Sequence, residues 1–213
     1  MPSTAISAQG SVCSISTGSG GAKTISGTVV VGNPTILTAT AHGFSNGDVV
    51  ALAGLTGASA SLLNGLSVVV QYKTTNTFAV AIDTSGATIT AAGTATPNTY
   101  TAIANVQDFS GFDGSASEID VTNLASVAKE FRLGLTDAGQ LSLSINQDNA
   151  DAGQLAVRAA LVSGAVKNFK ILLPSGVAAS FAGFVKKFGA SGGVDAVVKS
   201  SIDIRITGAV TWA

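Results

Sequence analysis

The sequence predicts a mainly β protein with a single α-helix. Three observations carry this. Apolar and polar residues alternate over short runs, most plainly in Lys129–Leu135 and Gln140–Asn146. Turn signals recur between such runs: Gly32-Asn33-Pro34, Asn46-Gly47, Asn64-Gly65 and Thr84-Ser85-Gly86. One stretch alone, after Asp151, has both the apolar spacing and the end signals of a helix.

Bulk properties limit the function classes. The 213 residues leave room for one large domain or two small ones. Charged residues are only 11% and hydrophobic residues 46%, the opposite of a disordered chain. A β protein this poor in charge must keep its apolar surface occupied, and self-association is one way to do so. A net charge of −1 supports neither a nucleic-acid binder nor a membrane-surface protein. The single Cys13 excludes an intramolecular disulfide and reads as a small buried side chain. Val49–Tyr72 carries no charge, but Gly54, Gly57 and Gly65 break it into strands and turns rather than a membrane span. Met1-Pro2-Ser3-Thr4 lacks the basic start and apolar run of a signal peptide, so cytoplasmic synthesis is expected.

In chain order, Gln9–Ser16 reads as the first strand and Thr17–Gly21 as a flexible turn. The glycines of that turn could cradle a phosphate, but no Gly-Lys-Ser/Thr follows them. From Gly27 to Pro97 the only charged residues are Asp48, Lys73 and Asp83. Candidate strands there are Thr28–Val31, Thr35–Ala39, Asp48–Ala53, Leu66–Tyr72 and Thr77–Ile82, a spacing that suits a small closed barrel or sandwich. Ala95-Thr96-Pro97-Asn98 reads as a turn leading out of this segment. Tyr100–Phe109 then reads as one strand.

A polar loop follows, Asp113–Val127. Next comes a hairpin of Lys129–Leu135 and Gln140–Asn146, with Phe131, Leu133, Leu135, Leu141, Leu143 and Ile145 inward. Gly139 suits the left-handed position of the connecting turn. The helix starts at an Asp151 cap with Gln154 in capping-box position, places Leu155, Ala159 and Val162 on its packed face, and stops at Gly164. Asn168–Leu173, Ala179–Phe188, Val194–Ser200 and Ile202–Thr207 complete the strands.

Few residues invite catalysis. His42 is the sole histidine, has no placeable acid or nucleophile, and reads as a structural hydrogen-bonding group. The loop carboxylates Asp113, Glu118 and Asp120 lack the ligand spacing of a calcium loop. No catalytic residue, metal site or cofactor is expected. The long loop is left with two readings, a solvated segment or an arm that touches another copy.

The run FSGFDGSASEIDVTNLASVAKEFRLGL, followed in order by DAGQLAVRAAL, FKILLPSG, FAGFV and GGVDAVVKSSIDIRITG, resembles the major tail tube protein of long non-contractile, siphovirus-like phages. The resemblance spans about Tyr100–Ala213 and the N-terminal strand. It implies a β-sandwich with one flanking α-helix. It also implies that hexameric rings self-assemble and stack into a tube that delivers the genome. The loop would then contact the neighbouring ring through Asp113, Gly114, Ser117, Glu118, Asp120 and Asn123. Partners implied are copies of the chain itself, the tape-measure protein, the tail terminator and distal tail proteins. Genomic DNA would be present only in transit, and the chain would not insert into a membrane.

The run NPTILTATAHGFSNGDVVALAGLTG, with LNGLSVVV and NTFAVAIDTSG, resembles a small β-module common in phage virion proteins, similar to the β-barrel half-domain of ubiquitin-activating enzymes. It implies a fold and no activity. The expected organisation is a tail tube domain at 1–26 and 98–213, interrupted by a small β-barrel-like domain at 27–97.

Charge is uneven along the chain. Asp108–Asp151 holds eight acids against Lys129 and Arg132, whereas Ala152–Ala213 holds seven bases against Asp195 and Asp203. If the two halves lie on different surfaces, copies can dock head to tail. Outward hairpin positions Glu130, Arg132, Ser142 and Ser144 are expected on the lumen or an inter-subunit face, and the lumen is expected to lack basic stripes that would hold DNA. The alternative is a cell-surface or fimbria-like β protein, which the missing signal peptide and disulfides disfavour.

Overall fold

A computed structural model describes residues 5–27, 29–90 and 92–213. The readings made for Met1–Thr4 and for Thr28 lie outside these. The strands are β1 (Val12–Ser19), β2 (Lys23–Ile25), β3 (Thr35–Thr38), β4 (Val49–Ala53), β5 (Ser67–Val69), β6 (Thr77–Val80), β7 (Gly93–Ala102), β8 (Val106–Gly111), β9 (Ala116–Asp120), β10 (Phe131–Thr136) and β11 (Gln140–Asn146). Helix α1 (Ala152–Ser163) precedes β12 (Lys167–Leu172), β13 (Ala178–Ser191) and β14 (Lys199–Trp212). The fold is mainly antiparallel β with one α-helix among the described residues, in keeping with the sandwich expectation.

The chain divides into two compact units. One comprises residues 1–103, 168–180 and 211–213, the other residues 104–167 and 181–210.

In the first unit the strand order runs β5-β4-β7-β1-β12, with β2 also on β7 and β3–β6 as a separate pair. The strands expected in the 27–97 segment largely form, but they close no barrel. Their core is well packed: Ile25, Leu37, Leu52, Leu63 and Phe78 are all fully buried in one cluster. The first strand extends to Ser19, so the expected Thr17–Gly21 turn is partly strand, with a register shift between Ser16 and Gly18. The turn expected at Ala95–Asn98 is also strand. β7 pairs with β4 through Val50↔Pro97 and Leu52↔Ala95, then with β1 through Ser19↔Asn98 and Ser16↔Tyr100. Pro97 lacks a donor, and its carbonyl accepts from Gly20 N at 2.7 Å.

In the second unit β14, β11 and β8 lie side by side, and β9 and β10 form their own two-stranded sheet. Leu141, Leu143 and Ile145 are buried as expected, opposite Ile204, Ile202 and Ser200 of β14. The expected hairpin is not formed. β10 pairs with β9, while β11 pairs with β14 and β8. Leu133 and Leu135 are consequently 80% and 91% exposed rather than core. The single strand expected over Tyr100–Phe109 is two, broken at Asn105, whose φ is +60°. Residues 194–198 carry no strand, and the final strand runs as one from Lys199 to Trp212.

Helix α1 has the expected ends. Asp151 accepts from Gln154 N, and Gly164 is left-handed with φ +63°. Its packed face differs from expectation. Gly153, Gln154, Val157 and Ala160 are buried, whereas Leu155 and Val162 are exposed. Gln154 explains the shift. Its side chain donates to Ala104 O and Asn146 O, both at 3.1 Å, and accepts from Asp148 N at 2.8 Å. The glutamine holds the neighbouring backbone and does not reach back to the cap residue. Three part-buried backbone groups satisfied by one fully buried side chain outweigh the weak pull of an apolar stripe.

Candidate assembly arm and polar sheet face

The chain leaves β8 at two unusual backbone positions, Gly111 (φ +146°) and Phe112 (φ +61°). The Phe112 ring sits edge-on to Phe181, with centroids 5.5 Å apart, and anchors this departure. Asp113 and Gly114 follow. A side chain at position 114 would collide with the backbone of Asp137 and Ala138, so the two ends of the arm approach closely because Gly114 has none.

Beyond that point the expected loop is a ribbon. Arg132 lies opposite Ile119, and Leu133 opposite Glu118. Ser117, Glu118 and Asp120 belong to β9, and Asn123 to the turn at its end. That turn is tied by Ala125 N to Asn123 Oδ1 at 2.8 Å and by Glu130 N to Thr122 Oγ1 at 3.0 Å. Thr122 donates to Asp120 and, with a smaller effect of Lys129 at 3.6 Å, holds its carboxyl below the usual carboxylate range. At the base of the ribbon, Gly139 N and then Arg205 do the same for Asp137. Leu124 and Val127 at the tip are fully exposed, and Phe131 is half exposed.

Ser142 and Ser144 sit elsewhere, on the side of β11 facing away from Leu141 and Leu143. Ser142 Oγ donates to Asp203 Oδ1 at 2.7 Å, and Ser144 pairs across with Ser201 and with Asp108 of β8. The structure therefore splits the four residues grouped from sequence. Arg132 lies on the ribbon and Glu130 at its start, while the two serines belong to the sheet. At one end of the serine face is a groove of about 350 Å³ whose lining includes Ser144, Ser191, Ser201, Lys187 and Lys199. Sequence reasoning missed this groove because it needs β14 to lie between β13 and β11, a strand order that the local pattern does not give.

Two single residues have plain structural roles. His42 is buried; its Nδ1 accepts from Phe44 N at 2.9 Å and its Nε2 lies 3.2 Å from Thr77 O, as a neutral ring with the proton on Nε2 would arrange it. Cys13 is buried, and desolvation pushes its thiol from 9.0 up to about 11. Among the described residues no group of three His, Cys, Asp or Glu side chains could hold a metal ion. Among the same residues no helix is long and apolar enough to cross a membrane.

Comparison with known proteins adds three findings. No curated protein matches the sequence. Among solved structures, the chain is similar to a subunit of the tail of an empty gene transfer agent particle refined with C6 symmetry: 19% identity, TM-score 0.46, covering 54% of this chain and 86% of that one. It is also similar to a subunit of the virion of a native gene transfer agent particle, at 18% identity and TM-score 0.46, covering 54% and 88%. A subunit of the anti-feeding prophage baseplate, six-fold symmetrised, is similar at 13% identity and TM-score 0.43, covering 54% and 84%. The family model described as lambda phage tail tube protein matches residues 84–213, more than half of the sequence and the whole stretch that builds the ribbon, the serine face and the helix. The chain belongs to the lambda phage tail tube protein family.

Proposed function

We propose that copies of this structural tail protein form hexameric rings, that the rings stack into the tail tube, and that the tube delivers the genome. The β9–β10 ribbon is the observation that carries this reading. It hydrogen-bonds strand to strand within itself and exposes Leu124, Val127, Leu133 and Leu135. Burying each of these against a neighbour contributes roughly 1.5–3 kcal/mol toward holding two rings together. The ring-stacking contacts are assigned to Asp113, Gly114, Ser117, Glu118, Asp120 and Asn123 together with these apolar residues.

The serine face around Ser142 and Ser144 is assigned to the lumen or to an inter-subunit contact, and Glu130 and Arg132 to a contact beside the ribbon. A face of hydroxyls lets DNA pass without the counterion release that lysines would add. The Lys187–Lys199 groove suits an acidic segment of an adjacent copy, which makes the contact heterologous. The tape-measure, terminator and distal tail proteins are the expected further partners. Residues 27–97 are proposed as an insertion carried on the outer surface of the tube.

The deciding experiment replaces residues 113–128 with a tight turn. The variant should fold and form single rings without tubes, as seen by sedimentation and electron microscopy. Normal tubes from this variant would remove the ribbon from any role in stacking.

A further inference from the structure

The 27–97 segment carries a cleft of about 560 Å³ lined by Ala41, Gly43, Phe44, Lys73, Thr74 and Thr75. That volume lies within the range of small-molecule sites, about 300–1,000 Å³. Two loops make it, 41–46 and 71–76, and each holds a non-glycine residue in the left-handed region: Ala41 at φ +49° and Tyr72 at φ +46°. For a bulky residue that conformation costs energy. Tyr72 is nevertheless 74% exposed, so no gain from core packing offsets it. A lone surface tyrosine is ordinary; one held in a costly conformation beside a cleft is not.

The loops are fixed to each other and to the core beneath. Ala41 N donates to Asn76 Oδ1 and Lys73 N to Asn46 Oδ1, each at 3.0 Å. Ala39 N donates to Asn76 O at 2.8 Å, and Thr74 N to Thr77 O at 2.7 Å. Below them the rings of His42, Phe44 and Phe78 pack with centroids 4.7–5.4 Å apart. A cleft braced in this way is shaped before any ligand arrives, which lowers the ordering cost of binding.

The chemistry on offer is specific. Tyr72 directly precedes the lining run Lys73-Thr74-Thr75 and offers an exposed aromatic ring with a polar tip. Lys73 is the only charged side chain of the lining. Aromatic stacking suits the C–H face of a sugar ring, a threonine hydroxyl such as that of Thr75 suits its hydroxyls, and an ammonium suits a carboxylate or phosphate. We propose that this cleft binds an anionic saccharide, with Tyr72 as the stacking platform and Lys73 as the charge partner.

The test is saturation-transfer NMR on the full chain with three probes: a hyaluronan tetrasaccharide, trigalacturonic acid and neutral maltotetraose. At least one anionic probe should show transfer, and the neutral one should bind at least about five-fold more weakly. Tyr72→Ala should weaken the anionic probe at least about five-fold, Tyr72→Phe should retain it, and Lys73→Ser should erase the preference over maltotetraose. Tyr72→Gly, which tolerates the positive φ, repeats the test if the alanine variant misfolds. Absence of transfer to both anionic probes, equal binding of the neutral one, or unchanged binding by both ring-deleted variants would each overturn the proposal.

Discussion

Lys170 Nζ of β12 lies 2.7 Å from Asp48 Oδ1, and the same ammonium sits 5.1 Å from the centre of the Tyr100 ring on β7. Asp48 directly precedes β4, so this pair joins the 27–97 segment to β12, far along the sequence. Beside it, Ser180 Oγ donates to Gly47 O at 2.5 Å, and a Cβ on Gly47 would lie 2.5 Å from that of Ala178. The side chains of Lys170 and Asp48 are only 16% and 21% exposed, so water compensates poorly for a lost partner. Asp48→Ala should cost about 1–3 kcal/mol in urea unfolding, and Asp48→Ala with Lys170→Met should recover part of that. A loss below about 0.5 kcal/mol would place the pair among ordinary surface ion pairs.

Removal of the 27–97 segment is informative when designed around that pair. Asn98–Ala102 of β7 would remain to pair with β1, and a Gly/Ser linker adds little closure cost, about 0.6 kcal/mol per doubling of length. Lys170 would lose Asp48, so Lys170→Met belongs in the same variant. This protein should fold and still assemble into tubes. Folded chains that cannot form tubes would make the segment part of the wall.

Exposed leucines separate folding from assembly. Leu133→Asp with Leu135→Asp should change monomer stability by less than about 0.5 kcal/mol, since both side chains already face solvent. Tube formation should be lost, and sedimentation reads both outcomes on one sample.

Gln154→Leu keeps shape but strands three backbone groups. It should cost about 2–4 kcal/mol, more than Leu155→Ala on the exposed side of the helix, by thermal unfolding.

Alkaline pH should destabilise the fold through Cys13. Its folded thiol ionises at about 11, its unfolded thiol near 9.0. The resulting stabilisation is complete below pH 9.0 and is lost as pH rises through about 11. Burial, with a smaller effect of Asp48, also pushes the Tyr100 phenol from 10.0 to about 12, adding a later loss of the same sign. The Tm should fall from pH 9 to 11, and Cys13→Ala should flatten the first part of that fall.

Local signals in the sequence were legible, and partner choices were not. Asp151 and Gly164 mark the helix because caps act within a few residues. The alternation of Phe131, Leu133 and Leu135 marks a strand equally well, but strand period alone does not say whether its apolar side meets the same chain or another copy. Leu155, Ala159 and Val162 misled in the same way. What decided the helix face was a glutamine reaching backbone at Ala104, fifty positions earlier in sequence. Ala95–Asn98 reads as a turn, yet Pro97 sits where β7 passes from β4 to β1. The ribbon residues Asp113–Asn123 were placed by resemblance. Their pairing with β10 needed the structure, because Ser and Gly carry little strand signal.

The continuity of β7 has a mechanical consequence. A domain hung on two flexible linkers swings freely and passes little force to its host. Here one strand serves both sides, held by β4 along its first half and by β1 along its second. A pull along β7 would load those backbone bonds in shear, many at once, rather than peel them singly. Drag or tethering at the Tyr72 cleft would then reach β1 as torque on a stiff lever, so an event at that cleft could be felt in the strand that opens the chain.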